Sequence, residues 1–314
     1  MDADPIAADP PTPTLAMIGL GRMGANMARR LARGGARVHG FDAQPDARAA
    51  LADEPGVTVH ATLGEAVAAL PAPRTVWLML PAGAPSETAL TELSALLATG
   101  DLVVDGANAN YLDSRRHARE LAGHGLLFAD CGVSGGVWGL ANGYCLMFGA
   151  DPDAAARLAP LARLLAPAPD RGWLHCGPPG SGHYVKMIHN GIEYGAMQAY
   201  AEGFALLEGA TDFDLDLAAV GELWRHGSVI RSWLLDLTVD ALNDPNALDS
   251  VAPFVADSGE GRWTVDEAVR QGTPAPVIAL ALMSRFASQG RADVGNRLLS
   301  LMRKGFGGHA VRPK

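Results

Sequence analysis

Between Thr14 and Asp130 short apolar runs alternate with longer stretches of helical periodicity, and this alternation constrains the fold more than any other feature of the chain. The runs are Thr14–Gly19 (TLAMIG), ARVHGFD ending on Asp42, Val57–His60, Thr75–Leu80 (TVWLML), Leu102–Asp105 and Gly125–Asp130. Helical spacing fills Leu63–Leu70, Glu87–Ala98 and Tyr111–Ala122. Strand and helix in regular succession predict an α/β domain built on a doubly wound, mostly parallel sheet. Asn142–Ala150 reads as a further strand, Asp153–Leu165 as a helix and Gly172–Cys176 as a last strand. From Asp214 to Arg303 the patterns are helical, broken at Asn243-Asp244-Pro245 and around Gly259–Gly261, with little strand signal. The expected organisation is a disordered leader over residues 1–14, rich in Asp and Pro, a sheet domain over 15–180 and an all-helical domain with a C-terminal tail over 181–314.

The first run is followed by Gly19-Leu20-Gly21-Arg22-Met23-Gly24 and then by NMARRLARGG, which has helical spacing and a glycine stop. Strand, Gly-x-Gly-x-x-Gly turn and helix together form the Rossmann-type dinucleotide fingerprint. Its glycines permit a tight turn, close approach of a pyrophosphate and helix-to-strand packing, and the helix N-terminus offers amides and a positive dipole end. Asp42 closes the second strand about twenty positions on, where a carboxylate accepts hydrogen bonds from the adenine ribose and repels a 2′-phosphate. No Arg follows it directly, so NAD is favoured over NADP. A helix cap or turn residue before Gln44 and Pro45 is the alternative role for Asp42. Ligands of such sheets lie at the carboxyl ends of the strands. The loops there carry Leu80-Pro81 and Ala82-Gly83, Gly106-Ala107-Asn108, and Val133-Ser134-Gly135-Gly136. Leu80, Pro81 and Asn108 are placed beside the cofactor. Asn108 and Ser134 can donate to a carboxylate or hydroxyl, and Gly135-Gly136 offers bare amides to an anion; an ordinary turn is the alternative for each loop.

A net charge of −9 and the lack of any basic run argue against a nucleic-acid surface, and no apolar stretch approaches the ~18 residues that span a bilayer. Hydrophobic content of 48% with 19% charged residues is that of a globular protein with a large core. Cys131, Cys145 and Cys176 lie far apart without a CxxC, as expected of free thiols in a reducing compartment. The first Lys or Arg is Arg22, so no secretory signal is recognised, and a cytoplasmic location is expected. No His/Cys/Asp grouping at ligand spacing is found, and metal independence is expected.

The segment from Gly182 to Leu207 carries the chemistry. Val185, Ile188, Ile192, Ala196 and Ala199 recur at helical spacing and predict a buried stripe. Lys186, His189, Asn190 and Glu193 stand at offsets of 0, 3, 4 and 7 with Tyr194 beside them, which makes one polar row. A lysine and a glutamate two turns apart, roughly 10 Å along the axis, can bracket a small substrate and move protons at either end of it. A solvated surface is the plainer explanation of such a row. Against it stand the mixture of amide, imidazole and phenol groups and the glycines at 182, 191 and 195, each costing a helix ~1 kcal/mol.

KMIHNGIEYGAMQ, GVSGG after a strand ending in Asp, and the DGANANY loop resemble the decarboxylating 6-phosphogluconate dehydrogenases, specifically their short-chain, NAD-preferring bacterial branch, from Leu15 to the C-terminus. More distantly the chain is similar to the 3-hydroxyisobutyrate dehydrogenase group. The first resemblance implies NAD-dependent oxidative decarboxylation of 6-phosphogluconate to ribulose 5-phosphate in the pentose phosphate pathway and gluconate use. It implies Lys186 as the base and Glu193 as the acid. Asn108, Ser134, Gly135, Gly136, His189 and Asn190 would contact the sugar-acid carboxylate and hydroxyls, and Tyr194 and Arg285 the phosphate. Arg303 and His309 in the tail would enter a neighbouring subunit's site, implying a homodimer or homotetramer. Where long-chain members carry a lysine and a threonine before Gly-x-Trp, this chain has Ser258 and Glu260, with Arg262 as the nearby substitute cation. A non-decarboxylating 3-hydroxyacid dehydrogenase and a silent NAD-binding sensor are the alternatives. Arg285 and the Arg303/His309 tail argue against the first, Lys186 with Glu193 against the second.

Overall fold

A computed structural model describes residues 12–307 and 310–312. In chain order the elements are β1 (Thr14–Ile18), α1 (Arg22–Arg33), β2 (Arg37–Phe41), α2 (Pro45–Ala49), β3 (Val57–Val59), α3 (Leu63–Ala68), β4 (Thr75–Leu78), α4 (Ala84–Leu96), β5 (Leu102–Asp105), α5 (Tyr111–Gly123) and β6 (Leu127–Ser134). After a single 3-10 turn at Gly136–Trp138 come α6 (Gly139–Asn142), β7 (Cys145–Ala150), α7 (Pro152–Leu165) and β8 (Trp173–Gly177). The long α8 (Ser181–Gly209) is followed by α9 (Leu217–Arg225), α10 (Trp233–Leu242), α11 (Glu260–Gln271), α12 (Pro276–Ser288) and α13 (Asp293–Gly307).

Among the described residues one eight-stranded sheet has the order β3-β2-β1-β4-β5-β6-β7-β8. All pairs are parallel except β6 with β7. The turn back before β7 is made with Gly135 at φ +121° and Gly143 at φ +86°, and the 3-10 turn and the four-residue α6 between the strands are too short for a crossover that would restore a parallel pairing. Side chains alternate between the two faces: Leu15 and Met17 of β1 join α1 and α7 in one buried cluster, while Ala16 and Ile18 join α3, α4 and α5 in the other. Helices on both faces explain why β1, β4 and β5 read as continuous apolar runs rather than alternating ones. A capping box, in which Thr62 accepts from the Glu65 amide while Glu65 reaches back to the Thr62 amide, fixes where α3 starts.

Compact packing divides the chain into Met1–Lys186 and Met187–Lys314, a division that falls inside α8 rather than at its start. The expected leader lies outside the described residues as far as Pro11, and Thr14 already pairs with Arg37 as the first residue of β1. The second unit is helical, with small cores. Tyr194, Ala281 and Leu282 form one, and Phe204, Leu235 and Val239 form another. Among the described residues no helix is long and apolar enough to cross a membrane.

Candidate active site

β1 ends at Ile18 and α1 begins at Arg22, so three residues make the turn. Gly19 adopts φ +93°, and a Cβ there would stand 2.5 Å from the Met79 carbonyl oxygen. At Gly24 a Cβ would stand 1.9 Å from the Gly19 carbonyl oxygen, so α1 packs onto the turn only because both residues are bare. A Cβ at Gly21 would meet nothing within 4 Å, and as the N-cap of α1 it supplies no capping side chain. Two glycines are thus consumed by packing, and the third leaves the positive end of the helix accessible to an anion.

The Asp42 carboxylate accepts from the Leu20 amide at 2.7 Å and from the Gln44 amide at 2.8 Å. Both roles foreseen for it are compatible, because a carboxylate has about four acceptor positions and these bonds use two. Sequence reasoning missed Arg48, which donates to the Asp42 carbonyl at 2.6 Å from six positions on. A cavity of about 610 Å³ brings together Gly21, Arg22, Met23 and Gly24 from the turn, Leu80 and Pro81 after β4, Asn108 after β5 and Gly136 after β6. Its apolar wall of Met79, Val133 and Val137 was not foreseen, since nothing in such residue types separates a cavity wall from a core. Ser134 corrects the expectation of a loop: it is the last residue of β6 and pairs with Cys145. The strand runs four residues past Asp130 because β7 returns alongside it.

On α8 the expected faces are inverted. Val185 is 38% exposed and Ile192 62%, and Ala199 is exposed too, while Ile188 and Ala196 are half-buried. In the polar row Lys186 is only 8% exposed, and Asn190 and Tyr194 are buried. Periodicity located two faces correctly and assigned the cover wrongly, because within one copy it is the polar row that packs. In the first unit the stem of Lys186 lies against Gly132 of β6, where a Cβ would stand 2.3 Å from the lysine Cβ. Cys145 on β7 feels this charge; burial still pushes its thiol above the usual range, with Lys186 pulling the other way. Asp130 is wholly buried beside the start of α8, and burial raises its carboxyl pKa although the charge of His183 and the donated His183 and Gly180 amides pull the other way.

In the second unit the His189 ring nitrogen Nδ1 lies 3.0 Å from Asn190 Oδ1 and 3.9 Å from Glu193 Oε2. The Glu193 side chain is more open, at 42% exposure. The Arg285 guanidinium stands 3.4 Å from the centre of the Tyr194 ring and donates to the Ala256 carbonyl at 3.0 Å. The Tyr194 hydroxyl faces Asp257 Oδ1 at 3.5 Å, and Arg262 forms an ion pair with the same carboxylate. Burial, the largest influence on Asp257, pushes its pKa up, but Arg262, the Gly259 amide and the charge of Arg285 together hold it below the usual carboxylate range. Asp257 was not foreseen. Ser258 donates to Glu260 at 2.7 Å, so these two residues satisfy each other. Arg303 is exposed on α13, and His309 lies outside the described residues. Among the described residues no group of three His, Cys, Asp or Glu side chains could hold a metal ion.

A doubly wound sheet with a bare helix N-terminus opening on a cavity at its strand ends defines a dinucleotide-binding protein. Residues 14–170 match the family model described as the NAD binding domain of 6-phosphogluconate dehydrogenase, and residues 182–305 match that of the 6-phosphogluconate dehydrogenase C-terminal domain. The chain is 42% identical over 302 residues to the NAD(+)-dependent, decarboxylating 6-phosphogluconate dehydrogenase of Haloferax volcanii, covering 96% of this chain and 99% of that protein. It therefore belongs to the 6-phosphogluconate dehydrogenase family. Among solved structures it is similar to the Plasmodium falciparum 6-phosphogluconate dehydrogenase, determined with NADP+ and with 6-phosphogluconate, at TM-score 0.81 and 26% identity over 96% of this chain and 67% of that one. The Mycobacterium tuberculosis 3-hydroxyisobutyrate dehydrogenase is similar at TM-score 0.70 and 26% identity, covering 90% of this chain and 94% of that one.

Proposed function

We propose that the chain oxidises and decarboxylates 6-phosphogluconate with NAD, giving ribulose 5-phosphate, carbon dioxide and NADH, as a dinucleotide-binding domain followed by a helical substrate domain. The observation that carries this reading is the buried Lys186, seven residues before Glu193 on one continuous helix. The open Gly21 and the cavity beside it fit a dinucleotide pyrophosphate, with Arg22, Met23, Leu80, Pro81 and Asn108 around it; the Leu20 side chain packs in the buried cluster of the sheet instead. NAD supplies the acceptor for the hydride that leaves C3. Lys186, as the neutral amine, takes the proton from the C3 hydroxyl. The resulting ammonium then stabilises the enolate oxygen as the C1–C2 bond breaks and carbon dioxide departs, and it returns its proton to that oxygen. Glu193, covered by bound substrate, protonates carbon in the enediol while the neutral Lys186 takes back the hydroxyl proton, which completes the ketose.

Asn108, Ser134, Gly135, Gly136, His189 and Asn190 contact the carboxylate and hydroxyls in this reading. Tyr194 and Arg285, with Arg262, take the phosphate in place of the Asp257 carboxylate, which pairs with Arg262 and is attracted by the charge of Arg285. Asp42 selects NAD by opposing a 2′-phosphate, a choice that matters because the Haloferax relative is named NAD(+)-dependent whereas the Plasmodium structure holds NADP+. A second copy covers the apolar side chains of α13, where Val294, Leu298, Leu299, Leu301 and Met302 are all exposed, and brings in Arg303 and His309. Three free cysteines support a reducing, cytoplasmic setting. The test is absorbance at the reduced-nicotinamide band with 6-phosphogluconate and either cofactor, together with trapped carbon dioxide. Reduction of NAD with equimolar carbon dioxide is expected; turnover of 3-hydroxyisobutyrate instead, or reduction without carbon dioxide, would reject the assignment.

A further inference from the structure

A base must be held to a fraction of an ångström, since a 1 Å displacement can cost about a hundredfold in rate. The surroundings of the first turn of α8 show how Lys186 is held. Asp130 Oδ1 accepts from the Gly180 amide at 2.5 Å and Oδ2 from the His183 amide at 2.7 Å. These are donors that a helix start otherwise leaves unpaired. Across the antiparallel ladder Asp130 faces Gly149, where a Cβ would come within 2.7 Å of Asp130 Oδ1 and of Ser181 Oγ. A Cβ at Gly182 would stand 2.6 Å from the carbonyl oxygens of Asp130 and Met147. The turn therefore sits directly on the bare backbone of β6 and β7. The His183 ring adds a third anchor, with Nδ1 2.7 Å from Ser114 Oγ of α5, both side chains being buried.

Asp130 and Gly132 are two residues apart and project to the same face of β6, while His183 and Lys186 are one helical turn apart on α8. Two points of one strand thus meet two points of one helix. We propose that Asp130 is a positioning residue for the base: by gripping the Gly180 and His183 amides it sets the rotation of α8 that lays Lys186 along Gly132. This rests on Lys186 being the base. Two N–H donors in a wholly buried setting call for two acceptor oxygens on one side chain, which a carboxylate has and a carboxamide lacks.

The test compares Asp130→Asn, Asp130→Ser and Gly132→Ala with the unaltered enzyme, using 6-phosphogluconate and NAD. Asp130→Asn keeps one acceptor and confronts the other amide with its own NH2. Gly132→Ala keeps the grip and displaces the lysine stem. Both should lower kcat about 10- to 100-fold, leave the NAD dissociation constant within about twofold, and move the acidic limb of the kcat–pH profile, which reports the lysine. A kcat within about twofold of the unaltered enzyme, or a uniform loss at every pH with the limb in place, would overturn the proposal. Should both Asp130 variants fail to fold, Gly132→Ala still tests the seat of the lysine on which the proposal depends, and an unchanged kcat and pH profile there rejects it. Lys186→Met run in parallel keeps the two ideas apart. Turnover retained there rejects the base itself, whereas turnover lost there and kept in Asp130→Asn rejects only the grip.

Discussion

Two kinds of residue build the nucleotide end of the molecule, those that must be absent beyond Cα and those that must carry charge. Gly24 is of the first kind, and Gly24→Ala forces a Cβ into the Gly19 carbonyl. The expected result is a loss of about 1–3 kcal/mol in stability from overpacking, read by thermal denaturation, with NAD binding weakened about tenfold or more as the turn opens. Asp42 is of the second kind. Replacing it by Ser with Arg in place of Ala43 removes the carboxylate proposed to oppose a 2′-phosphate and supplies a cation for it. The ratio of kcat/KM for NAD over NADP should fall about tenfold or more, and an unchanged ratio would count against the ribose contact. The glycines and Asp42 were legible in the sequence because their residue type and spacing are themselves the signal. Asp130, His183 and Asp257 were not, because each acts through a partner some 50 to 60 positions away or more, or through a neighbouring arginine whose direction no pattern encodes.

Elements were legible where hydrophobic pattern and punctuation agreed. The strand Leu102–Asp105 has the limits its sequence suggests, between a Gly-Asp turn and a glycine. Strand β6 overran its expected end because its extension depends on pairing with β7, a long-range contact. Helix α8 shows the same limit in another form, since a 3.6-residue period reveals two faces but not which of them the rest of the molecule covers. Where β4 and β5 begin, Asp101 accepts from the Ala98 and Arg74 amides at 2.9 and 2.6 Å and from the Arg74 guanidinium at 3.2 Å. Burial raises its pKa, yet these bonds together bring it below the usual carboxylate value. A depressed pKa in the folded state means stabilisation that is present above the unfolded value of about 3.9 and lost as pH falls below it. Asp101→Asn should therefore cost about 1.5–3 kcal/mol at pH 7. Thermal midpoints of the two proteins should converge below about pH 4; a gap that is constant with pH would contradict the electrostatic origin.

On the scale of the whole molecule, the first unit has large cores on both sheet faces, while the second leaves apolar side chains on α8, α12 and α13 uncovered. If a second copy covers α13 as proposed, Leu298→Asp with Leu301→Asp should give a monomer in sedimentation equilibrium and take activity with it; full activity in a monomer would contradict a shared site. Sequence periodicity foresaw a sheet unit followed by helices, and could not foresee that α8 belongs to both, because its first turn is bound by the sheet through Asp130 and three glycines. The proposed mechanism makes the amine of Lys186 the centre of the chemistry. Steady-state turnover of Lys186→Met, measured beside NAD binding by fluorescence, tests this most directly. The account predicts turnover below about 1% of the unaltered enzyme with the NAD dissociation constant unchanged; turnover above a few per cent, with cofactor bound as before, would contradict it.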